Sequence, residues 1–271
     1  MIHTSNGAPL DDSGAPLFYR HHGQTAEIVL NRPDRLNAMS ADMWQRLHNI
    51  VSLLSADNQL RCIVLKGTGG KAFSPGCDIF EFEDIRYTAE QGKTYGKIMH
   101  DAFSALQECP IPLIAQIQGI CVGGGLDIAA LCDLRICGKS SRFGIPIKNL
   151  GLVMAYEELS PILGITHKNT LLEMLLTGRI YNVEEAHERH LVTQVVEDDA
   201  LEETVQKTVA DIVTGAPLSA RWHKTFIRNL MTGKTLTETD RSVCYACYDT
   251  EDYHDGCEAF KAHLKPVFKG K

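Results

Sequence analysis

No stretch of this 271-residue chain approaches the roughly 20 consecutive apolar residues that cross a bilayer, so no membrane-spanning helix is expected. Positive charge is not in excess either. Lys and Arg number 27 against 34 Asp and Glu, a formal net charge of -7. That balance weighs against broad nucleic-acid binding but leaves a phosphorylated ligand admissible. The opening residues, Met1 to Leu10, lack the charged and apolar blocks of a secretion signal. Their Gly, Pro, Asp and Ser content, continued through Pro16, sets the expectation of a loose tail over residues 1–17. Nine cysteines are scattered without framework spacing. An odd number of this kind leads to the expectation of reduced thiols and a cytoplasmic location.

Metal and nucleotide signatures are incomplete. His187-x-x-His190 has no evident third ligand, and Cys244-x-x-Cys247 has no second pair. Gly67-Thr-Gly-Gly-Lys71 lacks the P-loop spacing and the Ser or Thr after its lysine. No metal site and no nucleoside triphosphate site are expected. Internal repeats and low-complexity linkers are also missing.

What is present begins with Gly119-Ile-Cys-Val-Gly123-Gly124-Gly125-Leu126-Asp127. It follows the apolar run Pro112 to Ile117 and precedes a helix-like run, Ile128 to Cys132. The order reads as strand, glycine turn and helix start. Glycines let main-chain N–H groups face a ligand without Cβ interference, and a helix start adds unpaired donors and a positive dipole end. Asp127 lies three residues beyond Gly124, on the same helix face. Alone, such a turn serves close helix–strand packing equally well. A second loop follows the apolar strand Arg61 to Lys66: Lys71-Ala-Phe-Ser-Pro-Gly-Cys-Asp-Ile79. There Gly76 permits an unusual turn, and the Cys77 N–H can point outward.

Strands over Thr25–Leu30, Cys62–Lys66, Leu113–Ile117 and Leu134–Cys137 alternate with helices over Ala41–Leu54, Ala89–Gln107 and Leu126–Cys132. Ser40 caps the first of these helices. Its apolar set, Met43, Leu47, Ile50, Val51 and Leu54, recurs at helical spacing. Alternation of this kind predicts βαβ units and a mostly parallel sheet, an α/β fold. Ligands in open α/β sheets collect at the strands' C-terminal edge, where both glycine loops leave. Beyond Phe143 the pattern is mainly helical, with helices expected near Tyr156–Leu163, Lys168–Leu176, Val183–His190, Asp199–Thr214, Leu218–Met231, Leu236–Tyr248 and Glu251–Leu264.

Asn31-Arg-Pro…Asn37-Ala38, Ala72-Phe-Ser-Pro-Gly-Cys-Asp78, Gly123-Gly-Gly-Leu-Asp127 and Phe143-Gly-Ile-Pro146 occur in that order. Together they resemble the crotonase superfamily of enoyl-CoA hydratases, isomerases and relatives, from about Ala26 to Lys271. The resemblance implies an α/β spiral of β-β-α units with a C-terminal helical trimerisation region. Division into a core over 18–200 and a helical region over 201–271 follows. It also implies a homotrimer or a dimer of trimers acting on an acyl-CoA. Coenzyme A would enter as part of the substrate, with no separate cofactor.

Residue by residue, the resemblance maps two oxyanion donors onto the Cys77 and Gly124 amides and an acid/base onto Asp127. It maps CoA contacts onto Arg35, Leu36, Ala72, Ser74, Asp78 and Ile79, and onto Phe260 and Lys261 near the chain's end. Charge grows on the thioester oxygen as an enolate forms, so fixed N–H donors favour the transition state selectively. One departure stands out. Hydratases of the family carry a second glutamate after Phe-Gly-x-Pro, where this chain has Ile147. The usual isomerase position falls near Ala155, also non-ionisable. Tyr156, Glu157 and Glu158 follow directly. Tyr156 and Glu157 stand as candidates for a second catalytic group, although first-turn glutamates also complement a helix dipole. An acyl-CoA-binding protein without efficient chemistry, and a hydrolase or decarboxylase on the same oxyanion hole, are the alternatives.

Overall fold

The structure, a computed structural model, describes residues 10–271. Its strands in chain order are β1 (Leu17–His22), β2 (Thr25–Leu30), β3 (Cys62–Gly67), β4 (Ala72–Ser74), β5 (Leu113–Ile117), β6 (Ile120–Val122), β7 (Leu134–Gly138), β8 (Arg142–Gly144), β9 (Ile180–Tyr181) and β10 (Gln194–Val196). They form a larger sheet of order β1-β2-β3-β5-β7-β10 and a smaller one of order β4-β6-β8-β9. Neighbours in the larger sheet run parallel except for β1 with β2.

The chain repeats one step. A long strand of the larger sheet (β3, β5, β7) leads through a short turn to a strand of the smaller one (β4, β6, β8). Each such pair is followed by helix: Ala89–Glu108, Gly124–Ala130 and Tyr156–Leu163, respectively. This is the expected β-β-α spiral. The β-β turns therefore stack at one edge, and both glycine loops come out beside each other.

Alternation along the strands explains why the larger sheet is covered on both faces. In β3, Ile63 and Leu65 join the main core with Trp44, Leu47 and Phe103. Cys62 and Val64 point the other way, with Ile114 and Ile136, onto Leu201, Val205 and Val209. A strand buried on both sides must be apolar throughout, which is why β3 was readable from sequence. The short strands of the smaller sheet carry no such run.

Three expectations are corrected. Residues 10–17 are not a loose tail: Leu10 and Ala15 are buried, Pro16 O accepts from Asn31 N at 2.8 Å, and Leu17 begins β1. The rest of that expectation, residues 1–9, lies outside the described residues. The boundary at residue 200 separates a helix from its own core, because Leu201–Val213 covers the outer face of β3, β5 and β7. In place of one helix over Leu236–Tyr248 there are two short pieces, Glu238–Val243 and a turn at Ala246–Asp249. Among the described residues, no helix is long and apolar enough to cross a membrane.

Candidate active site

The site is assembled from three loops, held by side-chain and main-chain hydrogen bonds and by close backbone packing. Asn37 is fully buried and adopts φ 63°, a conformation asparagine tolerates better than most residues. Its Nδ2 donates to Thr68 O at 3.0 Å and Ala72 O at 2.8 Å, and its Oδ1 accepts from Arg32 N at 2.9 Å. One side chain thus joins the Asn31–Ala38 segment to the turn between β3 and β4. Ser74 Oγ continues the tie. It donates to Asn37 O at 2.9 Å and accepts from Gly76 N at 3.1 Å.

Cys77 is oriented by the bonds on either side of it. Met39 N donates to Gly76 O at 2.8 Å, and Asp78 N donates to Met39 O at 2.9 Å, a single parallel bridge between Met39 and Cys77. In that pattern the middle residue turns its own N–H and C=O away from the partner strand. The Cys77 amide therefore faces away from Met39. Gly76 has φ 91°, and a Cβ there would lie 2.5 Å from Gly124 N. The two loops are in direct contact with no room for a side chain between them. Gly124 opens the Gly124–Ala130 helix, so its amide is one of the first-turn donors with no intrahelical acceptor.

Cys77, Gly124 and Asp127 line one pocket with Ile79, Phe82, Arg86, Met99, Ile147, Leu150, Leu152, Met154 and Glu158. Asp127 is 2 % exposed, and its Oδ1 has no hydrogen-bond partner. Burial pushes its carboxyl well above the ordinary carboxylate range, and the charge of Glu158 adds to the effect. The helix dipole and desolvation oppose each other at this position, and desolvation wins.

The second carboxylate is Glu158, not a candidate named from sequence. It is buried, and its Oε1 lies 3.3 Å from His100 Nε2. Tyr156 is 87 % exposed, and the Glu157 side chain is 59 % exposed with an oxygen 3.9 Å from His100 Nδ1. Neither lines the pocket. Helix phase is the reason. In Tyr156–Leu163 the buried positions are Glu158 and Ile162, four apart and so on one face, and position 157 is turned about 100° from them. The spacing from Ile162 was the available signal. Ile147 lines the pocket as an apolar wall.

The expected CoA contacts divide. Ile79 lines the pocket and is half exposed. Arg35 is exposed, with its guanidinium 5.0 Å from the Phe80 ring centroid, and Leu36 is partly exposed beside it. Ala72, Ser74 and Asp78 are buried. The Ser74 side chain is spent on Asn37 and Gly76, and that of Asp78 on Arg32 at 2.9 Å and on Phe80 N. Those two side chains hold the loops in place. Phe260 and Lys261 lie on a different groove, with Tyr253, Gly256 and Phe268.

Comparison with known proteins identifies the family and the fold. A family model described as Enoyl-CoA hydratase/isomerase matches residues 20–271. The short-chain-enoyl-CoA hydratase of Clostridium acetobutylicum is 29% identical over 249 residues, 90% of this chain and 94% of that protein. A crystal structure of an enoyl-CoA hydratase/carnithine racemase from Magnetospirillum magneticum superposes with a TM-score of 0.93 at 44% identity, covering 95% of this chain and 96% of that one. The enoyl-CoA hydratase of Bacillus anthracis superposes with a TM-score of 0.86 at 26% identity, over 95% of this chain and all of that one.

Proposed function

The chain belongs to the enoyl-CoA hydratase/isomerase family, and from that premise we propose that it transfers protons on an acyl-CoA thioester through an enolate, using Asp127 and Glu158 as its two carboxyl groups. The Cys77 and Gly124 amides bind the thioester oxygen. Glu158, oriented by His100, takes the proton from the α-carbon, and the C–H electron pair moves toward that oxygen. Asp127, kept protonated by burial, returns a proton to the acyl chain. For a β,γ-enoyl thioester, removal at the α-carbon and return at the γ-carbon shift the double bond into conjugation. Asp127 and Glu158 then exchange the proton between them and reset.

The observation that carries this reading is Glu158 in the pocket of Asp127. Ile147 removes the hydratase pattern's second glutamate and Ala155 the isomerase one, and the alternative of a binder without efficient chemistry rests on both. A buried carboxylate reaching the same pocket from the next helix fills the gap and favours catalysis. Arg35, beside the loop that carries Ile79, is the proposed partner of CoA's phosphates. Phe260 and Lys261, outside the Asp127 pocket, are proposed to reach CoA from a neighbouring copy in a homotrimer or dimer of trimers.

The test is a panel of β,γ-enoyl-CoA and α,β-enoyl-CoA thioesters with product analysis. Asp127→Asn and Glu158→Gln are each expected to lower kcat by about 10²–10⁴-fold, while Glu157→Gln lowers it far less. Equal effects at 157 and 158 would remove Glu158 from the mechanism.

A further inference from the structure

Arg86 is the one basic side chain among the described residues lining the pocket. It is held from several sides. Its guanidinium carbon lies 5.0 Å from the ring centroids of both Phe82 and Tyr95, and Nη1 lies 3.5 Å from Cys77 Sγ. The rings stabilise the cation without neutralising it. Among the described residues, no carboxylate lies within salt-bridge distance of Arg86. The neighbouring thiol supplies no counter-charge, because burial pushes the Cys77 pKa up. Glu158, which lines the same pocket, is engaged by His100.

A guanidinium fixed in this way presents a planar fork of donors that matches a carboxylate. Its place decides which carboxylate. Arg86 contacts the side chain of the residue whose amide is proposed to hold the thioester oxygen. The two are separated by the Cys77 side chain and the 3.5 Å contact beyond it. CoA's own phosphates are carried off by the pantetheine arm and are too remote to serve. The partner must be carried by the acyl group itself, a few carbons beyond the thioester.

We propose that Arg86 is a specificity-determining residue that receives a terminal carboxylate on the acyl chain, making short dicarboxylic acyl-CoA thioesters the preferred substrates. This rests on the acyl-CoA reading above. An uncharged acyl chain would fill the pocket but leave the guanidinium unpaired, and a site built to hydrogen-bond a substrate group discriminates against the analogue that lacks it.

The experiment is calorimetric binding to the full-length chain of two saturated thioesters, glutaryl-CoA and butyryl-CoA. Neither carries a double bond to isomerise or hydrate. Wild type is expected to bind glutaryl-CoA about 10–100-fold more tightly. Arg86→Met should bring the ratio close to one, and Arg86→Lys, which keeps a cation but loses the fork, should leave an intermediate ratio. Equal affinities in wild type, or a ratio untouched in both variants, would overturn the proposal. The wild-type ratio needs no mutant, so misfolding of either variant cannot shelter the idea. A glutaryl preference lost in Arg86→Met but with no proton transfer on any thioester would sink the enolate reading and leave Arg86's role standing. Absence of binding by both thioesters would overturn the two together.

Discussion

Asp127 gains its chemistry from what surrounds it. A carboxyl with an unpartnered oxygen in a buried pocket holds its proton far above the pH at which an unfolded chain releases it. The folded state then binds one proton more than the unfolded state over that interval, so stability falls as pH rises through it. Asp127→Asn removes the titration. Its stability relative to wild type is expected to increase as pH rises above the ordinary carboxylate range, by up to about 1.4 kcal/mol per pH unit while the folded-state carboxyl stays protonated. Urea unfolding at several pH values checks the sign, and an advantage that shrinks as pH rises would contradict the burial argument. At this scale the sequence was half legible. Asp127 could be located from the glycine turn, but its protonation depended on desolvation that only packing reveals. Glu158 was visible as a residue and not as a site, because Glu157 beside it has the same chemistry and differs only in helix phase.

At the scale of elements, the site depends on how closely two loops approach. Gly76 contacts the Gly124 amide, and behind Gly124 the Trp44 ring leaves 3.2 Å to a would-be Cβ. A Cβ on Gly125 would collide with Ser74 O, which locks β4 against the start of the Gly124–Ala130 helix. Gly76→Ala is therefore expected to part the two amides and cost about 10²–10³-fold in kcat. Cys77→Ala leaves its N–H in place and should cost far less. Steady-state kinetics on both variants decide, and equal losses would assign the function to the thiol. The glycine motifs make the meeting of strand, turn and helix legible in the sequence. The second sheet was not readable, because β4, β6 and β8 have three residues each, too few for a period of two to declare itself. Their pairing is set by the long strands that precede them.

Across the whole molecule, the spiral leaves its C-terminal helices rich in exposed apolar side chains: Ile227, Leu230, Met231, Tyr245, Tyr248, Phe260 and Leu264. A soluble chain seldom shows so many in one region without a partner. Sedimentation is expected to give three or six times the 30.0 kDa chain mass, and a monomer at micromolar concentration would contradict the assembly proposed from the family resemblance. Fold class was legible because long buried strands alternate with amphipathic helices. The placing of the Leu201–Val213 helix on the sheet was not, since its apolar stripe names no partner. The central claim is that two main-chain amides and two buried carboxyl groups make an enolate at a thioester. It is tested most directly by incubating a saturated acyl-CoA with the protein in D2O and following deuterium at the α-carbon by NMR. The expected result is incorporation by wild type that drops by about 10²–10⁴-fold in Glu158→Gln. Incorporation equal in wild type and Glu158→Gln, or none with any thioester that binds, would contradict it.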